Sequence, residues 1–139
     1  MNIEVYYQSR GGNTKKVANA IAEGCLVQAK EISEPRPESC DVLFLGSGVY
    51  SASLDPTMKD FIASLAGAQI GEIVLFGTSA GGKKPFGMMK KRLLALGFHV
   101  SEKTFYAHGS FLFMNKGRPN EKDLIQAKNF AQSICNRPA

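Results

Sequence analysis

The chain has 139 residues, of which 44% are hydrophobic and 21% charged, as is usual for a globular domain with its own core. Lysine and arginine number 17 against 12 aspartate and glutamate, so the net charge is +5, which favours anionic partners. The sequence contains no apolar stretch long enough for a membrane span and starts without a hydrophobic leader. We therefore expect a single cytoplasmic domain over residues 1–139, with no membrane partner.

The three cysteines, Cys25, Cys40 and Cys135, form no CxxC pair and no cluster with the two histidines. This spacing indicates no metal site and no disulfide framework. We expect reduced thiols, packed as small apolar side chains in or near the core.

The first predicted elements are a strand, a helix and a weaker strand. The strand is "IEVYY" from Ile3. Apolar residues at spacings of three and four then predict a helix that ends near Gly24: Val17, Ala18, Ile21, Ala22 and Cys25. "LVQAKEI", from Leu26, is mixed enough for a strand at the edge of a sheet, and the prolines of residues 34–38 predict a loop.

Two apolar segments then follow, "DVLFLG" from Asp41 and "EIVLFG" from Glu72, which are typical of strands covered on both faces. Between them, Asp55 and Pro56 predict the start of a helix. Its apolar face consists of Met58, Phe61, Ile62 and Leu65.

The remaining elements are a helix, a strand, a long connection and a helix. The first helix carries the stripe Phe86, Met89, Leu93 and Leu96 and closes at Gly97. The strand starts at Phe98, and residues 108–120 connect it to a helix capped by Asn120. The stripe of this last helix is Leu124, Ala127, Ala131 and Ile134.

The order βαββαβαβα predicts crossover connections over both faces of one sheet. We expect a three-layer α/β/α fold with a five-stranded parallel sheet in the doubly wound order 2-1-3-4-5. In such a sheet, ligands bind outside the carboxyl ends of the strands, where "SRGGNTK", "GSGVYSAS" and "GTSAGG" meet. All three loops are rich in Gly, Ser and Thr, and none contains a carboxylate or a histidine.

The first of these loops has the composition of a phosphate site. Gly11 and Gly12 leave the backbone accessible to an anion, and the helix that follows presents its positive end. The hydroxyls of Ser9 and Thr14 add hydrogen-bond donors. The loop has neither the GxxxxGK[ST] spacing nor the GxGxxG spacing, so it is a different kind of cradle.

"SRGGNTKKVANAIAEG" resembles the FMN phosphate loop of the flavodoxin family, "FLGSGVYSASLDPTMKDFI" resembles its second flavin loop and "VLFGTSAGG" its third. The resemblance covers essentially the whole chain and implies FMN as the cofactor. It assigns the FMN phosphate to Ser9, Arg10, Gly11, Gly12, Asn13 and Thr14. It assigns one side of the isoalloxazine ring to Ser47, Gly48, Val49, Tyr50, Ser51 and Ala52, and the other to Thr78, Ser79, Ala80, Gly81 and Gly82. Tyr50 is the candidate for stacking on the ring.

The basic balance is unusual for an electron-carrying flavodoxin, since these are typically acidic. Much of the excess lies in one segment: Lys83, Lys84, Lys90, Lys91 and Arg92. This segment is either the solvated face of a helix or a docking site for an acidic redox partner or for nicotinamide phosphates. It lacks interleaved aromatic residues, so we do not expect nucleic-acid binding. We expect a monomer or a weak dimer.

The resemblance implies an electron carrier that works through FMN, with no catalytic side chain and no metal ligand. One alternative is an FMN-dependent NAD(P)H or quinone reductase, or an oxidase, in which residues 108–120 shape a second substrate site and His108 contacts substrate or flavin. A receiver domain is disfavoured because the strand ends lack the required acids. A degenerate interaction domain without flavin is the remaining alternative.

Overall fold

A computed structural model describes residues 1–112 and 114–138. Phe113, in the predicted long connection, and Ala139 lie outside the described residues. The elements are β1 (Ile3–Tyr7), α1 (Asn13–Gly24), β2 (Ala29–Glu31), β3 (Ser39–Gly48), α2 (Pro56–Ser64), β4 (Gln69–Ser79), α3 (Phe86–Ala95), β5 (Val100–His108) and α4 (Glu121–Cys135). The predicted order of elements is therefore confirmed.

The five strands form one parallel sheet in the order β2-β1-β3-β4-β5, which confirms the predicted topology. In the central pair, Ile3 is opposite Val42 and Tyr7 is opposite Gly46. Because all strands run in one direction, the connections that follow β1, β3, β4 and β5 lie at the same edge of the sheet. We call this edge the carboxyl edge.

The core consists of two layers, one on each face of the sheet. Alternate residues of β3 belong to different layers, because successive side chains of a strand point to opposite faces. Val42 and Phe44 pack with α1 and α4, whereas Leu43 and Leu45 pack with α2 and α3. Each central strand is thus buried on both sides, which explains its continuous apolar run.

The cysteines differ from the prediction of three reduced thiols. Cys25, just after α1, and Cys135, the last residue of α4, form a disulfide with their Cα atoms 5.8 Å apart. The prediction was wrong because the two residues are 110 positions apart, and only the packing of α1 on α4 brings them together. Cys40 is a buried free thiol, and burial raises its pKa to about 11.

Candidate functional site

A cavity of about 720 Å³ opens at the carboxyl edge, a size typical of sites for small-molecule cofactors. It lies between all three predicted loops and a fourth segment. Its lining contains fourteen of the predicted site residues: Ser9, Arg10, Gly11, Asn13, Thr14, Gly48, Val49, Tyr50, Ser51, Ala52, Thr78, Ser79, Ala80 and Gly81. The other three predicted residues, Gly12, Ser47 and Gly82, lie in the same loops but are not part of the lining.

The N-terminus of α1 faces this cavity without a cap. Among the described residues, no side chain caps the backbone amides of its first turn, and that turn contains no acidic residue. It contains instead two lysines, Lys15 and Lys16, which the positive end of the helix dipole disfavours. By contrast, Asp55 caps α2, and Asn120 caps α4 in a capping box. The first turn of α1 is thus arranged to receive an anion from outside the chain.

Ser9 and Gly12 fix the shape of the first loop, residues 9–14, which is the predicted phosphate loop. The Gly12 amide donates to Ser9 Oγ over 3.0 Å, and Gly12 has a φ of 95°, in the left-handed region that suits glycine. A Cβ built on Gly12 would meet no atom of the protein within 4 Å. The Cβ position of Gly12 therefore faces open space.

Tyr50 and Arg10 form the wall between the first two loops. The guanidinium carbon of Arg10 lies 4.0 Å from the centroid of the Tyr50 ring, and the Arg10 amide donates to the Tyr50 hydroxyl over 3.0 Å. Arg10 Nε also donates to Asp55 Oδ2 over 2.8 Å. Hydrogen bonds from Thr57, and then from Arg10, hold the pKa of Asp55 below its usual value. Tyr50 is thereby held at the cavity by two groups of Arg10, whose guanidinium is itself held by Asp55.

The second loop is a two-residue turn. Tyr50 and Ser53 exchange backbone hydrogen bonds of 2.9 Å, and Ser51 and Ala52 between them have φ values of 50° and 59°. The Tyr50 hydroxyl folds back over Gly48, where a Cβ would lie only 2.5 Å from it. Any larger residue here would displace the Tyr50 ring, so glycine suits this close approach. Ser47 is fully buried beneath the loop, and its Oγ donates to the Gly48 carbonyl over 2.8 Å.

The third loop is joined to the phosphate loop below the cavity. Thr14 Oγ1 and Thr78 Oγ1 are 2.8 Å apart and both residues are buried. Further out, Ser79 Oγ and the Tyr106 hydroxyl are 2.7 Å apart, which ties the end of β4 to β5. The loop ends at Gly82, which is exposed and has a φ of 85°.

A fourth wall comes from the connection between β5 and α4, which the sequence analysis connected with a ligand site only for the reductase or oxidase alternative. Ser110, Phe111 and Met114 line the cavity together with Lys83 of the third loop. Asn13 Nδ2 donates to the Ser110 carbonyl over 2.9 Å, and Asn115 Nδ2 to the Ala80 carbonyl over 2.8 Å. The only sequence signal was an apolar run in a polar connection, which gives no position relative to the other loops.

The charged side chains in the lining are both cationic. They are Arg10 and Lys83, and of the lining residues that the structure describes, none is a carboxylate or a histidine. Arg10 is balanced by Asp55, whereas Lys83 has no ion pair among the described residues. This environment stabilises negative charge on a bound molecule.

Comparison with known proteins agrees with this arrangement. The sequence profile of the family described as Flavodoxin domain matches residues 4–96, more than half of the chain. The chain belongs to the flavodoxin domain family. A protein of Methanocaldococcus jannaschii, the uncharacterized protein MJ0298, is 29% identical over 138 residues, covering 88% of this chain and 89% of that protein.

Solved structures of other flavodoxins have the same fold. A flavodoxin from the domain Archaea superposes with a TM-score of 0.79 at 21% identity, covering 98% of this chain and 97% of that one. A WrbA-like flavodoxin from Agrobacterium tumefaciens gives a TM-score of 0.77 at 19% identity, covering 97% and 95%. Rubredoxin oxygen:oxidoreductase from Desulfovibrio gigas gives 0.75 at 17% identity, but the match covers 35% of that chain and 96% of this one.

In this flavodoxin-family chain, the predicted basic segment is split between two places. Lys83 and Lys84 lie in the third loop, and Lys84 Nζ is 5.3 Å from the centroid of the Tyr106 ring. Lys90, Lys91 and Arg92 belong to α3, where Lys90 pairs with Glu102 over 2.7 Å. Only the first two residues are therefore close to the cavity.

His108, at the end of β5, is not among the described residues that line the cavity. Its ring packs edge-on against Tyr106, with centroids 5.4 Å apart, and its Nδ1 is buried without a hydrogen-bond partner among the described residues. The described residues also contain no group of three or more His, Cys, Asp or Glu side chains placed to hold a metal ion. No helix in residues 1–112 and 114–138 has the length and apolar character needed to cross a bilayer.

Proposed function

We propose that this chain binds FMN in the cavity at the carboxyl edge and carries electrons between redox proteins. The observation that carries the proposal is the uncapped N-terminus of α1 beside a glycine loop, with cations and no acid in the first turn. Membership of the flavodoxin domain family supports a flavin as the cofactor. When bound, FMN supplies the redox chemistry, and the chain supplies the binding and the electrostatic environment.

The donors of the phosphate loop suit the phosphate of FMN. The amides of Asn13, Thr14 and Lys15 have no backbone acceptor among the described residues, since they form the free first turn of α1. Thr14 Oγ1 contacts Thr78 Oγ1, and this contact orders the turn. The same Thr14 hydroxyl is available to hydrogen-bond the phosphate. A phosphate here would offset the repulsion between Lys15, Lys16 and the helix dipole.

The remaining walls suit a flat conjugated ring. The cavity contains two aromatic side chains, Tyr50 on one wall and Phe111 on another, together with Met114. Arg10 and Asp55 hold Tyr50 in place, so the Tyr50 side chain would not need to be ordered when the ligand binds. Loop backbone at Gly48 and Gly81 can hydrogen-bond a polar ring edge.

The test is a titration of the apoprotein with FMN and, separately, with riboflavin, monitored by flavin fluorescence. The two ligands share the ring and differ in the phosphate. Because hydrogen bonds to a charged group contribute about 1.5–3 kcal/mol each, we expect FMN to bind at least about 100-fold more tightly. Equal affinity for the two ligands would show that the phosphate site is wrongly assigned, and no binding of either would favour an interaction domain without flavin.

A carrier and a reductase differ in whether NADPH reduces the bound flavin directly. We expect NADPH, added without air to the FMN-loaded protein, to leave the flavin absorbance unchanged, while dithionite bleaches it. Direct bleaching by NADPH at the rate of a reductase would instead establish the NAD(P)H-dependent alternative.

A further inference from the structure

The positive charge of the chain is concentrated at the carboxyl edge. The connections after β1, β3, β4 and β5, each counted through the first turn of the next helix, are residues 8–16, 49–59, 80–89 and 109–124. These four segments hold nine of the 17 lysines and arginines but three of the 12 aspartates and glutamates. The remainder of the chain, with eight basic and nine acidic residues, is nearly neutral. The net charge of +5 is therefore a property of the edge that contains the cavity.

Two of the three acids in these four segments form ion pairs. Asp55 pairs with Arg10 over 2.8 Å, and Asp123 pairs with Arg118. Lys83 and Lys84 are exposed and make no ion pair among the described residues. Their charge is therefore directed at solvent beside the mouth of the cavity.

An apolar surface adjoins these two lysines. Phe111, Leu112 and Met114 are 59%, 78% and 47% exposed, although each is a large hydrophobic residue. Phe111 and Met114 exchange backbone hydrogen bonds of 3.1 and 2.9 Å, which holds them in a tight turn. Both also line the cavity with Lys83, so the turn forms part of its rim.

We propose that Lys83, Lys84, Phe111, Leu112 and Met114, which we call the rim, dock a small acidic electron-transfer protein. This inference rests on the proposed function and names the partner class of that site. Apolar contacts beside charged ones are the usual anatomy of a protein interface, and exposed lysines steer an acidic partner to it. A partner seated on the rim would lie against the cavity mouth. If that partner is an iron protein, its ferric iron would become ferrous by accepting one electron from the reduced cofactor that the cavity is proposed to hold.

The first test measures binding without any cofactor. Isotope-labelled apoprotein is titrated with an oxidised rubredoxin of negative net charge and, separately, with the basic protein cytochrome c. We expect the amide signals of Lys83, Lys84 and Leu112 to shift with rubredoxin and not with cytochrome c. Affinity for rubredoxin falls as salt is added, because exposed charges are screened. Because the titration uses the apoprotein, its result does not depend on whether the cavity can bind FMN.

Charge-reversed variants locate the effect. We expect Lys83→Glu/Lys84→Glu to weaken rubredoxin binding at low salt by about tenfold or more. Lys91→Glu/Arg92→Glu changes the net charge by the same amount at exposed positions of α3 and serves as the matched control. We expect it to change the affinity for rubredoxin by only about twofold. Leu112→Asn tests the apolar side chains of the rim. Asparagine tolerates the left-handed φ of 54° at this position, and we expect the variant to bind rubredoxin more weakly. The FMN affinity of each variant is measured, because Lys83 lines the cavity.

An equal loss of affinity in both double variants would overturn the proposal, because steering would then depend on net charge alone. Rubredoxin binding that is insensitive to salt and to both lysines would overturn it as well. Co-sedimentation with phosphatidylserine vesicles, abolished by Lys83→Glu/Lys84→Glu in a chain that does not bind rubredoxin, would assign the rim to a membrane surface instead. Failure of FMN binding with intact rubredoxin binding would leave the docking surface standing and remove the proposed carrier function.

Discussion

At the scale of single residues, Gly12 and Gly67 offer a controlled test of the phosphate loop. Both have φ values in the left-handed region, 95° and 87°, and a Cβ on either would meet no protein atom within 4 Å. They differ in place, since Gly12 belongs to the loop at the cavity and Gly67 follows α2 at the other edge of the sheet.

We expect Gly12→Ala and Gly67→Ala to lower the free energy of unfolding by a similar amount, about 1–2 kcal/mol, because each forces a side chain into the left-handed region. Only Gly12→Ala should weaken FMN binding, by about tenfold or more, since strain at Gly12 would shift the loop amides that are proposed to hold the FMN phosphate. Urea unfolding and FMN titration of both variants provide the measurements. Unchanged FMN affinity in a folded Gly12→Ala protein would contradict the proposed phosphate site.

Lys83 permits a test of the electrostatics of the cavity. It lines the cavity and has no ion pair among the described residues, whereas the charge of Arg10 is balanced by Asp55. Lys83→Gln should lower the reduction potential of bound FMN, because reduction adds negative charge that the lysine stabilises. A charge interaction of about 1 kcal/mol corresponds to about 40 mV for one electron. Redox titration measures the shift, and Lys91→Gln, on the exposed face of α3, should leave the potential unchanged.

The residue types of the site were predictable, but their contacts were not. Loop position and composition were sufficient to select fourteen of the 18 described residues that line the cavity, since the carboxyl ends of parallel strands converge. The sequence could not show that Arg10 stacks on Tyr50 and pairs with Asp55, because this depends on the path of the second loop. Nor could it show that Ser47 lies beneath that loop, because a serine hydroxyl can face a ligand or, as here, donate to a nearby backbone carbonyl.

At the scale of elements, the disulfide between Cys25 and Cys135 joins the ends of α1 and α4. It closes a loop with a sequence separation of 110 residues, and the two helices already pack against each other. Long loops give the largest entropic effect on the unfolded chain. The disulfide therefore holds α4 against α1, on the face of the sheet that the two helices share.

We expect Cys25→Ser/Cys135→Ser to lower the free energy of unfolding by about 2–4 kcal/mol. FMN affinity should be unchanged, because both cysteines lie at the edge opposite the cavity. A thiol-reactive dye should find one thiol per oxidised chain after unfolding, since Cys40 is free and buried. Three reactive thiols in protein purified without reductant would show that the disulfide is absent.

The capping box of α4 gives a pH-dependent contribution to stability. Asp123 accepts from the Asn120 amide over 2.8 Å and from Arg118 Nη2 over 2.8 Å. The hydrogen bond from Arg118, followed by that from Asn120, holds the pKa of Asp123 below its ordinary value of 3.8, although burial opposes this. The folded state therefore binds this proton less readily than the unfolded chain does. The contribution of the Asp123 carboxylate to the free energy of unfolding is present above pH 3.8 and is lost as the pH falls through the lowered pKa.

We expect Asp123→Asn to lower the free energy of unfolding at neutral pH by about 1.5–3 kcal/mol, the size of a hydrogen bond to a charged group. The stability difference between the variant and the wild type should shrink as the pH is lowered through 3.8. Urea titrations across this range supply the measurement, and the exposed residue Glu121 provides the control Glu121→Gln. A difference that stays constant with pH would show that the charge of Asp123 contributes nothing.

Helices and buried strands were the most predictable elements because their patterns follow the burial of side chains. The stripes of α1 and α4 and the cap at Asp55 are present where the sequence placed them. The strands were less well bounded: β2 has three residues, whereas β4 has 11 and starts at Gln69, before its apolar run. Those additional residues pair with β3, and such pairing leaves no mark on a single sequence.

At the scale of the whole molecule, topology could be predicted and surface organisation could not. The sequence of elements restricts the sheet to few orders, because crossovers are right-handed and helices must cover both faces. The fourth wall of the cavity depends instead on how residues 109–120 return across the edge, and hydrogen bonds of Asn13 and Asn115 determine this path. The concentration of charge at the same edge becomes visible only when all four connections are seen together.

The same convergence predicts that FMN binding stabilises the molecule as one unit. The cavity is built from segments that follow four of the five strands, and the buried pair Thr14 and Thr78 connects α1 to β4 beneath it. A ligand that binds only this folded arrangement raises the free energy of unfolding by about 2.7 kcal/mol at a concentration 100 times its dissociation constant. We expect urea unfolding followed by far-UV circular dichroism and by the recovery of flavin fluorescence to give one shared midpoint. That midpoint should rise with FMN concentration and much less with riboflavin. Release of FMN at lower urea than the loss of helix would show that the loops at the carboxyl edge unfold separately from the core.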